Sequence, residues 1–137
     1  MPLRTTLDHV TIVTDDFEAS RPVYDAVFTA LGLNASVDYE DPEADEDDTD
    51  SVAAIGYATV AGELLILLVS GARPTRGAHW ALAVDDRAAV EAAFKAGEAA
   101  GARAIQAPRE WEAEHLNYYG AQLADNAGNI LEVVYKK

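Results

Sequence analysis

One phrase is written twice in this chain. Residues 7–16 read LDHVTIVTDD and residues 78–86 read AHWALAVDD: a histidine, a short apolar run, and a pair of aspartates. The echo extends beyond the phrase. His79 lies 70 positions after His9, Gly101 lies 69 after Gly32, and Gly128 lies 66 after Gly62, so a nearly constant offset runs through a unit of about half the chain. A repeat of this size means two copies of one supersecondary unit, each unable to bury its apolar surface alone.

The order of elements within a copy follows from local signals. LDHVTIV, rich in β-branched residues, predicts a strand, and Ser20 as N-cap with Pro22 in the first turn predicts a helix running to Leu31 and closed by Gly32. Strands are expected over Asn34–Tyr39, Ser51–Val60 and Glu63–Val69, the last two joined at Ala61-Gly62. After the Gly-, Pro- and Arg-containing linker 70–77 the order restarts. A strand is expected at Ala78–Val84, a helix at Arg87–Ala100 closed by Gly101, and strands at Arg103–Gln106, Tyr118–Ala124 and Ile130–Tyr135, with DNAGN turning between the last two. The fold class is therefore α+β: two βαβββ modules, residues 1–70 and 76–137, in a single domain. A helix covers one face of each sheet, and the two open faces can curl into a curved mixed sheet around a shared cleft.

Composition narrows the chemistry. The chain has 137 residues and no cysteine, which excludes disulfides, thiolate zinc sites and a cysteine nucleophile. The net charge is −14, with nine of the 24 acidic residues between Asp38 and Asp50, a run expected to be solvated and to lie outside any site. Ten Lys plus Arg in no cluster disfavour nucleic acid and anionic membranes as partners. With no signal-like or membrane-spanning apolar run, a cytoplasmic location is expected.

Alternation along the strands selects candidate residues. Leu7, His9, Thr11 and Val13 share one face, as do His79, Ala81 and Ala83; the bulkier apolar sets belong under the helices. The cleft is then expected to receive His9, His79, the side chains of Leu64, Ile66 and Leu68, and those of Ile130, Glu132 and Val134. Glu132 stands out because it is a carboxylate inside the apolar strand NILEVVY. Unpaired burial would cost several kcal/mol or force it neutral, and a divalent cation is a natural partner. Asp15, Asp16, Asp85 and Asp86 look catalytic by repetition, but aspartate before a helix is ordinary capping chemistry, and a structural role is assigned to them.

At this point LDHVTIV, AHWALAV and DNAGNILEVVY, in paired modules of this order, resemble the vicinal oxygen chelate superfamily of glyoxalase I, extradiol dioxygenases and bleomycin-resistance proteins. The resemblance implies one divalent metal in the cleft, Fe2+, Mn2+, Ni2+ or Zn2+, with His9, His79 and Glu132 at three ligand positions. Shared spacing after Gly62 and Gly128 puts Ile66, which cannot ligate, at the fourth. Two histidines and one carboxylate form the set suited to non-haem iron. His115 stands before Glu132 at a spacing like that of the dioxygenase signature, although Gln122 and Asn126 replace that signature's tyrosine and proline. His115 and Tyr118 are the candidates for assisting proton transfer. Trp111, Tyr118 and Tyr119 are candidates for lining a pocket, for filling the core edge, or for an interface.

The expectations are thus a metal-dependent enzyme acting on a small molecule with adjacent oxygens, a metal-free protein that binds a drug or toxin, or a scaffold subunit with a degenerate cleft. A homodimer is expected from the family resemblance.

Overall fold

The computed structural model describes residues 5–35, 39–40, 53–113 and 116–136. Most of the acidic run and His115 lie outside these residues. The elements are β1 (Val10–Thr14), α1 (Phe17–Ala30), β2 (Asn34–Ala35), β3 (Tyr39–Glu40), β4 (Ala53–Ala58), β5 (Leu64–Ser70), β6 (His79–Val84), α2 (Arg87–Ala99), β7 (Arg103–Ala113), β8 (Leu116–Ala124) and β9 (Ile130–Tyr135).

The two copies build the same sheet. In the first, the strand order is β1-β5-β4, and β2 and β3 both pair with the far edge of β4, each supplying part of the fourth strand. In the second the order is β6-β9-β8-β7. Each module pairs its opening strand in parallel with its last, β1 with β5 and β6 with β9, while the other pairings are antiparallel. The expected curved mixed sheet is thus realised as two mixed sheets, one per module, with no strand pairing between them among the described residues.

The repeated aspartates have a common explanation. Asp16 accepts a hydrogen bond from the backbone N–H of Ala19 at 3.1 Å and Asp86 accepts one from Ala89 at 2.8 Å, so the second aspartate of each pair caps the helix that follows. The expected cap at Ser20 is corrected. The cap is Asp16 and α1 starts four residues earlier than expected, and Ser20 is buried with its hydroxyl 2.6 Å from the Thr14 hydroxyl and donating to Asn126 Oδ1 at 2.7 Å. Pro22 consequently sits inside the helix rather than in its first turn.

One apolar cluster spans both modules. Ile12, Ile55, Tyr57, Ile66 and Leu68 of the first sheet join Val23, Val27 and Phe28 of α1, Val90 and Ala93 of α2, and Ala121, Leu123, Leu131 and Val133 of the second sheet. The helices pack directly on each other, with Gly97 of α2 facing Val27 of α1. A Cβ at Gly97 would lie 2.8 Å from Val27 Cγ2 and 2.5 Å from Leu123 Cδ1, so any side chain at this helical position would force those neighbours to shift. Tyr24 of α1 crosses to the second module, with its ring 6.4 Å from that of Trp80.

Two strands differ from expectation, each for a local reason. β7 continues past Pro108 to Ala113 instead of stopping at Gln106; the ladder shifts register between Gln106 and Arg109, and an edge strand tolerates the missing N–H of proline. In β5, Ala58 pairs with Leu64 and Tyr57 with Ile66, leaving Leu65 as an extra residue. This bulge reverses the alternation. Ile66 pairs with Val10 and Leu68 with Ile12, and both leucine and isoleucine are buried under α1, not in the cleft.

Candidate functional site

The open face of the second sheet carries the polar cluster. β6 and β9 run parallel with His79 opposite Ile130 and Ala81 opposite Glu132, so His79 and Glu132 occupy the same face one step apart. β8 adds Gln122 opposite Glu132 and Gly120 opposite Val134, which places Tyr118 on that face as well. β7 adds Trp111 opposite Tyr118 and Arg109 opposite Gly120. The other face of these strands, with Leu131, Val133, Ala121 and Leu123, enters the core.

Glu132 is 6% exposed, and both of its oxygens are engaged. His79 Nε2 lies 2.9 Å from Oε1, and the Tyr118 hydroxyl donates to Oε2 at 3.0 Å. A carboxylate can only accept, so in this pairing Nε2 carries the proton. Burial, and then the hydrogen bond to Glu132, push the Tyr118 hydroxyl above its ordinary range, keeping it a neutral donor.

An aromatic ladder continues from that hydroxyl. The Tyr118 and Trp111 rings stack with centroids 6.0 Å apart and planes 24° apart. The Arg109 guanidinium sits 3.9 Å from the Trp111 ring centroid, and Trp111 Nε1 donates to the Gly120 carbonyl at 3.3 Å. Gly120 makes the ladder possible: a Cβ there would lie 2.9 Å from Tyr118 Cε2 and 3.2 Å from the Val133 carbonyl oxygen, so the phenol ring rests on a position without a side chain. Near the start of α2, Glu110, Glu112, Tyr119 and Tyr135 help line a cavity of about 590 Å³, with Arg87 paired to Glu110. There the bond to Glu91 raises the Tyr119 hydroxyl above its usual range.

The sequence candidates are therefore brought together in part. His79, Glu132 and Tyr118 meet. His9 stands on the lead into β1 with its ring exposed and Nδ1 2.6 Å from Asp8 Oδ1. Among the described residues no three histidine, aspartate or glutamate side chains converge where one ion could be held. The donor chemistry of His79 and Glu132, an imidazole and a carboxylate side by side, suits a first-row divalent ion, but among the described residues only those two meet at one point. The position equivalent to Glu132 in the first module is Leu67, not Ile66: Trp80 pairs with Leu131 as Val10 pairs with Ile66, which makes Leu67 the counterpart of Glu132. The Leu65 bulge displaces the count by one, and leucine ligates no better than isoleucine.

Sequence reasoning missed Arg109, which stands beyond the proline where the strand was expected to end. It also read DNAGN as a turn alone. Asp125 and Asn129 of that turn are buried and bonded to each other, and Asp125 accepts from the Tyr24 hydroxyl of α1 at 2.7 Å.

Two βαβββ modules, each closed by a parallel pairing of first and last strand and one bearing the His79–Glu132–Tyr118 cluster on its open face, define a paired-module α+β fold. The chain belongs to the glyoxalase/bleomycin resistance protein/dioxygenase superfamily, whose family model matches residues 6–133. Among solved structures it is similar to a glyoxalase/bleomycin resistance protein from Albidiferax ferrireducens T118, at 21% identity and a TM-score of 0.70, over 95% of this chain and 98% of that one. It is similar also to a glyoxylase/bleomycin resistance protein/dioxygenase domain from Frankia sp. EAN1pec, at 15% identity and a TM-score of 0.68, over 98% and 100% of the two chains. A third is lactoylglutathione lyase from Agrobacterium tumefaciens, at 19% identity and a TM-score of 0.60, over 96% and 94%. No curated protein matches significantly. No described helix is long and apolar enough to cross a membrane.

Proposed function

We propose that this chain is a metal-dependent enzyme of the glyoxalase/dioxygenase type, acting on a small molecule with adjacent oxygens at the open face of its second module. The observation that carries the reading is Glu132: a buried carboxylate on an open face, with an imidazole on one oxygen and a phenol on the other. An apolar residue would serve the strand better if stability were the only requirement, because burying a charged group costs several kcal/mol before its partners compensate.

In this reading His79 and Glu132 would supply two donors for an ion such as Fe2+, Mn2+, Ni2+ or Zn2+ and His9 a third, and the protein is taken to be a cytoplasmic homodimer. An ion held by these residues would supply Lewis-acid polarisation of substrate oxygens. Tyr118 holds the free oxygen of Glu132 and fixes the carboxylate's orientation. The Trp111 ring and the Arg109 guanidinium bound the face beside it and present a flat surface to substrate. Tyr118 and His115 are the proposed groups for proton transfer.

The test is metal content after reconstitution. About one ion per chain is expected in the wild type, with loss in His9→Ala, His79→Ala and Glu132→Gln. Stoichiometry indifferent to all three substitutions overturns the reading. A second reading, a metal-free protein that binds a small molecule such as a drug or toxin, is favoured by the fact that both Glu132 oxygens already have partners and by Leu67 opposite them in the repeat. Saturable binding of an aromatic ligand by chelator-treated protein, unaffected by added metal, would select it.

A further inference from the structure

We propose that Asn129 is a positioning residue that sets His79 against Glu132; the inference rests on the reading that this pair is the working part of the open face. Asn129 is fully buried in the turn before β9. Its side-chain oxygen accepts from the Ala78 N–H at 3.0 Å, and its amide nitrogen donates to the Thr75 carbonyl at 2.8 Å and to Asp125 Oδ2 at 2.9 Å. The carbonyl of Ala78 in turn accepts from the Ile130 N–H at 2.8 Å. Both backbone groups of the residue before His79 are thereby fastened to the start of the strand that carries Glu132.

That attachment lies where the register is decided. β6 and β9 are parallel, so no tight turn joins them, and the residues of the His79–Glu132 pair are 53 positions apart. A slip by one residue would turn one of the two side chains to the opposite face. Side-chain bonds from Asn129 to the end of the linker fix the start of the pairing, three residues before Glu132. Asn129 is itself oriented by Asp125, which accepts from the N–H groups of Ala127 and Asn129 at 2.9 Å each and from the Tyr24 hydroxyl at 2.7 Å. The chain of bonds thus runs from a helix of the first module to the polar pair of the second.

Asparagine is the residue type this place requires. It must accept from one backbone group and donate to two oxygens at once, which aspartate cannot do, and a carboxylate here would face the carboxylate of Asp125.

The experiment follows the imidazole ring of His79 by long-range nitrogen–proton NMR in chelator-treated protein. The wild type should show His79 fixed with its proton on Nε2. Asn129→Ala and Asn129→Asp should both release it into averaged tautomers while near-ultraviolet circular dichroism remains that of a folded chain. Asn129→Asp preserves volume and provides the reading if Asn129→Ala does not fold. Val90→Ala, a core truncation in α2, serves as the control for lost stability and should leave the His79 signature in place. Mn2+ affinity should fall roughly tenfold or more in the Asn129 variants, as for other groups that orient ligands. A chain that binds no Mn2+ but whose His79 signature moves as stated removes the proposed metal chemistry and leaves the role of Asn129 standing. A fixed His79 tautomer in both Asn129 variants, or its equal loss in Val90→Ala, overturns the inference.

Discussion

Tyr118 and Glu132 stand on neighbouring antiparallel strands, and the tyrosine donates its hydroxyl to a carboxylate that the fold almost fully buries. Removing the hydroxyl leaves Oε2 short of a partner without changing the packing of the ring. Tyr118→Phe should therefore cost about 1–3 kcal/mol in urea unfolding. Combined with Glu132→Gln in a double-mutant cycle, it should show a coupling of at least ~0.5 kcal/mol. Additive effects would mean that the two groups do not interact in solution.

Gly120 should be unusually sensitive for a strand residue. A methyl group there meets the Tyr118 ring and the backbone carbonyl of Val133, so Gly120→Ala should lift the phenol away from Glu132 despite the better strand propensity of alanine. Fluorescence of Trp111, which stacks on Tyr118, reports the displacement. An unchanged emission maximum together with unchanged stability would show that the ring does not rest on Gly120.

Tyr24 predicts the alkaline limit of the fold. Its hydroxyl is fully buried and bonded to Asp125, and burial, followed by that bond, raises its ionisation far above the ordinary value near 10. In the folded state the proton stays on while the unfolded chain releases it above about pH 10, so this contribution is complete below that pH and is lost as pH rises further. Urea midpoints measured from pH 8 to pH 11.5 should fall above pH 10. Tyr24→Phe should be less stable at neutral pH by about 1–3 kcal/mol, with a shallower alkaline decline.

The paired aspartates should behave unequally. Asp16→Ala and Asp86→Ala each remove a cap and should cost about 1 kcal/mol. Asp15→Ala breaks only an exposed contact of 3.4 Å with Arg76 and should change stability by less than about 1 kcal/mol. Thermal melts of the four single variants, Asp85→Ala included, are sufficient to check the ranking.

What could be read in the sequence was whatever repeats or alternates. The two phrases gave the module order, and the strand HWALAV correctly sorted His79 from Trp80 because its ladder with β9 has no interruption. In β5 the same rule failed, since a run of Leu64, Leu65, Ile66, Leu67 and Leu68 has no polar residue to mark the phase, and the bulge at Leu65 inverts it. Pro108 concealed the length of β7 for the converse reason: it is a strong breaker in general but a weak one on an outer strand. The Tyr24–Asp125 bond joins residues 101 positions apart, with no local pattern to announce it. His9, placed with His79 by strand alternation, the repeat and the family resemblance, meets Asp8 within the chain.

The parallel closure of each module also has a temporal consequence. Val10 finds Ile66 and His79 finds Ile130 only after most of a module lies between them, so neither parallel ladder can grow from a hairpin. β7, β8 and the turn at 125–129 can assemble locally, whereas β6 must wait for β9 to be inserted beside it. The polar pair is then among the last features of the second module to acquire its geometry, and a folding intermediate with an intact β7–β8 hairpin would already hold the aromatic stack of Trp111 and Tyr118 while Glu132 was still in water.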